Sequence, residues 1–305
     1  KASHSFSLSV ETGFLYGVSR EIVYGGSLAS NYLSEIQWNI RPLWFAGAAV
    51  EYAPKFGKNG FFGTFEIKAG IPGKTGVIED RDWLSPVTIP GALTHFSSHD
   101  NFTRTAVLAD IGGGIAVPLT ASLVLRLSFD FSYMYYKYEA HNGYTQYHTN
   151  SSYPPYTPYK PWAPGWPKVP MNGLGMDYAQ HWFIPRPGAK LVLRQGRFSL
   201  SASASISPFV FCFTVDNHYR RNPPFLVESE LSGGFFIEPK GSVSFELNDR
   251  CEIGLTLAYR YIGETRGDAA YHEYESFGTV ITRYANIAGA AYRAFEAALM
   301  FSYTP

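Results

Sequence analysis

The sequence lacks any run of about 18 apolar residues, the length at which an α-helix can begin to span a bilayer. It also lacks net charge: 25 basic residues balance 25 acidic ones, so no overall field would attract nucleic acid. These two absences disfavour a membrane protein built from helices and a nucleic-acid-binding protein.

Cysteine and charge are both scarce. The two cysteines, Cys212 and Cys251, could form one disulfide. The alternation described below places them on different strands near opposite ends, so we expect two free thiols. Charged residues account for 16% of the chain, which is low beside the roughly one quarter found in soluble domains.

Aromatic residues are abundant instead, at 17% of the chain, and many lie in long segments where apolar and polar residues alternate. Residues 121–135 and 197–207 are two examples, and the C-terminal segment is a third. In the first example the apolar positions are Leu123, Leu125, Leu127, Phe129, Phe131 and Tyr133. Successive side chains of a β-strand point to opposite faces, so this period predicts strands with one apolar face.

These segments are much longer than the roughly five or six residues typical of strands in soluble proteins. A transmembrane β-barrel explains their length, because its apolar side chains face lipid and its polar or small ones face the lumen. Closure of the barrel also satisfies the backbone groups that lipid cannot satisfy. We therefore predict one all-β domain over residues 1–305. It is an antiparallel up-and-down transmembrane barrel of about ten strands that extends beyond the outer leaflet.

The phase of the alternation assigns charged side chains to the lumen, among them Arg126 and Arg260. Residues 227–247 are interpreted as following a single phase, which turns Glu228 and Glu230 inward. Such charges would cross-link the interior of a narrow barrel rather than leave a wide pore.

Short and long connections alternate along the chain, as in outer-membrane barrels with tight periplasmic turns and long outer loops. Tight turns are predicted near residues 54–60, 118–122, 195–196 and 248–249. The longest outer loop is predicted at about 140–176, a segment rich in proline, tyrosine and tryptophan. Its aromatic content favours a packed flap over a disordered tether.

The alternation breaks at Pro208. If the preceding phase continued, Asp216 and His218 would face lipid. Proline has no N–H for the ladder and is best tolerated at a bulge, and a one-residue bulge reverses the facing of the residues that follow. The hypothesis is that Pro208 turns Phe211 outward and Thr214, Asp216 and His218 inward.

Strand direction then brings distant acidic residues together. Glu21 lies near the outer end of the first strand, Asp80 and Asp82 near that of the third, and Asp216 and His218 near that of the seventh. In a ten-strand barrel the third and seventh strands face each other across the mouth. These five side chains are therefore expected to converge on one rim.

Motifs around these residues occur in an order that resembles one known family. They read "SREIVY" (19–24), "LSEIQWNI" (33–40), "EDRDWL" (79–84), "DYAQHWFIP" (177–185), "VDNHY" (215–219) and "YANIAGAAYRAFEAALMFSY" (284–303). The set resembles the omptins, the outer-membrane aspartate–histidine endopeptidases of Gram-negative bacteria.

The resemblance implies a catalytic arrangement. His218 would be a general base that activates water, and Asp216 would orient and support its imidazole. Asp80 and Asp82 would form the opposing acid pair, in which one carboxyl can retain a proton. No metal and no covalent intermediate are implied.

The same resemblance implies residues that bind substrate and lipid. Glu21 matches one acid that holds a basic substrate side chain, whereas Thr214 and His95 stand where the family has acids. The preference for cleaving between basic residues is therefore in doubt. Tyr133 and Lys137 correspond to groups that grip lipopolysaccharide, which is expected to act as an activator; a lysine there can also be a simple interface anchor.

The leading hypothesis is an outer-membrane endopeptidase, monomeric, with its active site facing outside and with peptides or proteins as substrates. One alternative is a non-catalytic adhesin or binding barrel that uses the aromatic 140–176 loop. A narrow channel ranks last.

Overall fold

The computed structural model describes residues 4–25, 32–84, 89–147, 159–274 and 282–305. The N-terminal residues 1–3 and part of the predicted 140–176 loop, residues 148–158, lie outside these ranges. No helix in the described ranges is long and apolar enough to cross a membrane.

Long antiparallel strands make up most of the described chain. The fourteen segments found there are β1 (His4–Tyr24), β2 (Tyr32–Pro54), β3 (Gly60–Gly70), β4 (Gly73–Asp82), β5 (His95–Pro118), β6 (Leu123–Tyr147), β7 (Val169–Pro170), β8 (Leu174–Gln195), β9 (Phe198–Ser207), β10 (Val210–His218), β11 (Phe225–Gly233), β12 (Phe236–Glu246), β13 (Cys251–Glu273) and β14 (Thr282–Tyr303).

The segments form a closed ring of ten barrel strands in the described chain, and we call each of these barrel strands a stave. Three staves consist of two consecutive segments each. The segments β3 and β4 both pair with β2 and β5. Likewise β9 and β10 both pair with β8, and β11 and β12 both pair with β13. Among the described residues, the short β7 pairs only with the end of β6 and adds no stave. Pairing of β1 with β14 closes the ring. The predicted antiparallel barrel of about ten strands is confirmed.

The outer wall carries a continuous belt of exposed apolar side chains. Phe61, Phe129 and Leu299 are each more than three-fifths exposed, at 77%, 63% and 64%. In most staves the strand is 20 residues or longer, although about 10 tilted residues suffice to cross a bilayer. The barrel therefore extends well beyond its lipid-facing belt.

The facing of the seventh stave reverses at Pro208, as the sequence predicted. On β9 the even-numbered Phe198 and Ile206 are exposed. Beyond the break the odd-numbered Phe211 is exposed, whereas Asp216 is buried. The strand is interrupted at Pro208 itself, so the residue that cannot donate to the ladder marks the reversal.

A second reversal occurs in the eighth stave, and the prediction of a single phase there is wrong. Gly233 ends β11 and Gly234 follows it, and both have positive φ, at 87° and 64°. Before them Leu231 is buried inside the barrel and Glu230 is exposed. Glu228 pairs with His272 on the same outward side, 3.3 Å away. These two glutamates therefore do not line the lumen.

The turns divide as predicted between two ends of the barrel. Tight connections join β2 to β3, β5 to β6, β8 to β9 and β12 to β13. The predicted 140–176 loop is too long, because β6 continues to Tyr147 and β8 begins at Leu174. The described part of the connection packs on the barrel end: Trp162 donates its backbone N–H to Leu93, and Gln146 Nε2 donates to the Trp166 carbonyl at 2.6 Å.

Stacked rings cross the interior and form what we call the aromatic layer. Trp38 lies between Tyr138 and Tyr178, with ring centroids 5.5 and 5.7 Å away, and Tyr136 bonds to Tyr292 at 2.9 Å. All five side chains are fully buried. Below them, toward the tight turns, the lower lumen holds paired charges and a cavity of about 1230 Å³.

Candidate active site

Five acid–base side chains gather above the aromatic layer, and we call this group the rim cleft. It comprises Glu21 on β1, Asp80 and Asp82 on β4, and Asp216 and His218 on β10. The sequence predicted that these residues would converge. Their electrostatic interactions with one another span the barrel mouth: Asp80 interacts with both Asp82 and His218, and Glu21 interacts with Asp216.

Strand register explains the level at which the cleft lies. Glu21 pairs with Ile36 on β2, and Ile36 pairs with Asp80 on β4, so the two acids share one row of the sheet. The nearest exposed aromatic residue below Glu21 on β1 is Tyr16, and below Asp216 on β10 it is Phe211. At about 3.4 Å per residue, the cleft lies about 17 Å beyond the lipid-facing belt along each strand.

His218 and Asp216 form a close pair. The imidazole Nε2 lies 2.5 Å from Asp216 Oδ2, and the ring stacks on Phe225 with centroids 4.5 Å apart. Burial acts to lower the pKa of His218, but the charge of Asp216 and the hydrogen bond outweigh it, so the pKa lies above its usual value. Because Asp216 accepts the proton on Nε2, the neutral ring has its lone pair on Nδ1.

The acid pair on β4 favours its protonated, uncharged form. Burial, and then the charge of Asp82, raise the pKa of Asp80 to about 8. Burial also raises the pKa of Asp82. The charges of His218 and Arg221 act to lower both values without restoring them. At neutral pH the pair therefore retains a proton, as expected for carboxyls that share a dry site.

Glu21 completes the cleft on the side of the dyad. Burial, followed by the charge of Asp216, raises the pKa of Glu21 well above its usual value. Its Oε2 atom, Asp80 Oδ1 and Asp216 Oδ1 are buried and have no hydrogen-bond partner among the described residues. Three carboxyl oxygens in the cleft can therefore accept hydrogen bonds from a molecule bound there.

The predicted substrate-binding positions lie beside these groups. Thr214 is buried two residues before Asp216 and pairs with Gln180 on β8. His95 pairs with Asp82 across β4 and β5 and is also buried. Its ring meets the edges of Tyr147 and Tyr159 at 4.9 and 5.1 Å. Thr214 and His95 thus bring uncharged or weakly basic groups to opposite sides of the cleft.

The predicted lipid-binding residues are on the outer wall, away from the cleft. Tyr133 bonds through its hydroxyl to His181 Nδ1 at 2.8 Å. Lys137 Nζ lies 3.1 Å from Asp177 Oδ2.

Sequence reasoning missed the residues that surround the acid pair. Ser97 donates to Asp80 Oδ2 at 3.4 Å, and the Tyr147 hydroxyl lies 3.5 Å from the same atom. Arg221 contributes positive charge from the turn after β10. Only the pairing of β4 with β5, and of β5 with β6, reveals Ser97 and Tyr147. In the described ranges no cluster of three or more His, Cys, Asp or Glu side chains has the arrangement of a metal site.

Comparison with known proteins adds two findings. The family model described as the Omptin family matches residues 2–304. The solved structure of the outer membrane protease OmpT from Escherichia coli has a TM-score of 0.86 and 17% sequence identity, with 99% of this chain and 97% of that chain covered. At that identity the likeness establishes a shared fold.

More distant barrels also align. The translocator domain of the autotransporter NalP from Neisseria meningitidis is 10% identical, and the alignment covers 98% of this chain and 88% of that chain. Its TM-score of 0.38 is too low to support a conclusion about fold or function. No curated protein sequence matches the chain.

Proposed function

The chain belongs to the omptin family of outer-membrane proteases, and on that premise we propose that its rim cleft hydrolyses internal peptide bonds. One observation carries the proposal. A histidine–carboxylate pair of raised basicity faces an acid pair that retains a proton at neutral pH. Groups whose environments separate their protonation states in this way are suited to act as base and acid in one reaction.

In the proposed reaction a water molecule lies between His218 and the acid pair. The water gives a proton to Nδ1 of His218 as its oxygen attacks the peptide carbonyl, and the charge of Asp216 stabilises the imidazolium that forms. The protonated carboxyl of the Asp80–Asp82 pair donates a hydrogen bond to the carbonyl oxygen as negative charge develops there. The proton held by His218 then passes to the leaving nitrogen.

The orientation of the barrel is part of the same proposal. With the tight turns on the periplasmic side, the cleft opens to the outside, where peptide and protein substrates are available. Lipopolysaccharide is proposed as an activator that contacts the wall at Tyr133 and Lys137. Thr214 and His95 in place of acids argue against a strict requirement for basic residues on both sides of the cleaved bond.

The test is peptide hydrolysis by the full chain folded in detergent with lipopolysaccharide. We expect His218→Ala to lower kcat/KM by about 10²- to 10⁴-fold, the usual contribution of a general base. His141→Ala is the matched control, because His141 forms a similar pair with Glu139, 2.7 Å away, outside the cleft. Binding of peptides without cleavage by the unmodified protein would instead support the adhesin.

A further inference from the structure

A second polar group lies directly behind the dyad, on the opposite face of the same strand. We call it the outer clamp, and it consists of Lys137, Asp177, Asn217, Tyr219 and Tyr274. Asp177 is its centre: Asn217 Nδ2 donates to Oδ1 at 2.7 Å, the Tyr219 hydroxyl donates to Oδ2 at 2.7 Å, and Lys137 Nζ lies 3.1 Å from Oδ2. The Tyr274 hydroxyl donates to Asn217 Oδ1 at 2.6 Å.

The clamp holds residues that alternate with the dyad. Asp216 and His218 point inward, so Asn217 and Tyr219 point outward from the same short stretch of backbone. His218 is the last residue of β10, and a turn follows at Tyr219. Strand ends are where backbone pairing opens most easily. The clamp therefore fastens the one end of β10 at which movement would displace the imidazole.

The carboxylate of Asp177 is buried, and burial removes its hydrating water. This unfavourable placement indicates that the residue has a specific role. Its side chain is 5% exposed although it lies on the outward face. A buried carboxylate is tolerated only when hydrogen bonds and charge compensate for lost water. Here two donors and one ammonium do so, and they connect β6, β8 and the end of β10. Tyr274, which follows β13, joins them through its bond to Asn217.

We propose that Asp177 is a positioning residue for the dyad: by holding Asn217 and Tyr219 it fixes the backbone on each side of His218 and so keeps the imidazole against Asp216. The inference rests on the proposed function only for its effect on catalysis. The effect on the His218 side chain is separate and can be measured without substrate.

Asp177→Asn is the principal variant, since it keeps the size of the side chain and removes its charge and one acceptor. We expect kcat to fall about tenfold with KM changed less than twofold, as for loss of correct orientation. Contact with Asp216 raises the pKa of His218, so loosening that contact lowers it. Because the base must be neutral, the acidic limb of the pH–rate profile is expected to move to lower pH.

Glu139→Gln is the matched control. Glu139 pairs with Asp177 across β6 and β8 and is likewise held by two basic partners, Arg104 at 2.6 Å and His141 at 2.7 Å. It has no contact with Asn217 among those found in the described ranges. Its substitution should leave kcat and the acidic limb unchanged; equal shifts in both variants would overturn the proposal.

NMR titration of His218 in detergent micelles separates this inference from the proposed function. If the unmodified protein cleaves no peptide, the proposed function fails, but Asp177→Asn is still expected to lower the pKa of His218. If Asp177→Asn does not fold, Tyr219→Phe removes one bond to the same carboxylate and should shift the titration in the same direction. An unchanged His218 titration in every clamp variant that folds overturns the proposal.

Discussion

The lower lumen and the rim cleft both hold buried carboxyl groups, but in the described ranges lysine and arginine surround those of the lower lumen, whereas the carboxyls of the rim cleft lie mainly against one another. Below the aromatic layer, Lys68 contacts Glu11, Glu66 and Glu296 at 3.2, 2.7 and 2.5 Å. In the rim cleft the carboxyls of Glu21, Asp80, Asp82 and Asp216 instead lie near one another, with His218 bonded to only one of them.

The difference separates structural charges from functional ones. A carboxylate held by cations inside a barrel cross-links strands and closes the lumen, and its removal exposes an unpaired partner. Carboxyls that face one another instead raise each other's pKa, and folding gains nothing from that arrangement. Repulsion between buried carboxyl groups of this kind is typical of a reactive site. The rim cleft should therefore tolerate neutral substitutions that the lower lumen does not.

Removing Lys68 should give the largest loss of stability. Lys68→Met leaves Glu11 and Glu296 without the ammonium that both contact, and breaking such a buried network costs about 3–5 kcal/mol. Urea unfolding in micelles, followed by tryptophan fluorescence, measures the loss. Lys74→Met is the control: Lys74 is 52% exposed and pairs with Asp100 at 2.7 Å, so less than about 1 kcal/mol is expected. Equal losses in the two variants would remove the distinction between the regions.

Neutralising Asp80 should raise the stability of the barrel at alkaline pH, whereas removing Lys68 lowers it. Its pKa in the folded protein, about 8, lies above the ordinary value. The stability linked to its proton is therefore complete at low pH and is lost as pH rises toward 8. Asp80→Asn cannot ionise, so at about pH 9 we expect it to be more stable than the unmodified protein by about 1–3 kcal/mol, and equally stable near pH 4.

A carboxylate of the lower lumen supplies the comparison for that experiment. Glu238 binds Arg186 at 2.7 Å and Arg260 at 2.6 Å. Glu238→Gln should destabilise the barrel at the same pH at which Asp80→Asn stabilises it, because two guanidinium groups lose their charged partner. A stabilised Glu238→Gln variant would show that pairing in the lower lumen does not matter for folding.

The facing of each stave illustrates how far the sequence determines the fold. Pro208 indicates a reversal of side-chain facing because it interrupts the hydrogen-bond ladder and because Asp216 would otherwise face lipid. The Gly233–Gly234 reversal gives no such signal, since the buried Leu231 has the same parity as the exposed Phe235. An apolar side chain facing the interior is indistinguishable in sequence from one facing lipid.

The candidate site could be predicted in its acid–base residues but not in their surroundings. Asp80, Asp82, Asp216 and His218 lie in short motifs at strand ends, where topology alone brings them together. Their neighbours depend on register and on turns. Ser97 and Tyr147 reach Asp80 through strand pairing, and nothing in their local sequence marks them. The same limit hid the outer clamp, whose members come from separate strands.

The pH dependence of hydrolysis tests the separation of acid and base within the rim cleft. Neutral His218 is required, so kcat/KM should rise about tenfold per pH unit below its raised pKa and level off above it. Loss of the proton held by the Asp80–Asp82 pair should then lower the rate above about pH 8. These limbs belong to the coupled group rather than to single residues. A rate that stays level to about pH 10 would mean that no carboxylic acid takes part.

Tyr147→Phe should have the smallest effect and bears on how the acid pair is tuned. The hydroxyl lies 3.5 Å from Asp80 Oδ2, a long contact that favours the ionised carboxyl only weakly. Without it the pKa of Asp80 should rise slightly, so the alkaline limb should move to higher pH while kcat/KM changes by about twofold to fivefold. Tyr144→Phe is the control, because the Tyr144 ring packs under Lys168 Nζ at 4.1 Å. A shift toward lower pH in Tyr147→Phe would mean that the hydroxyl stabilises the protonated acid.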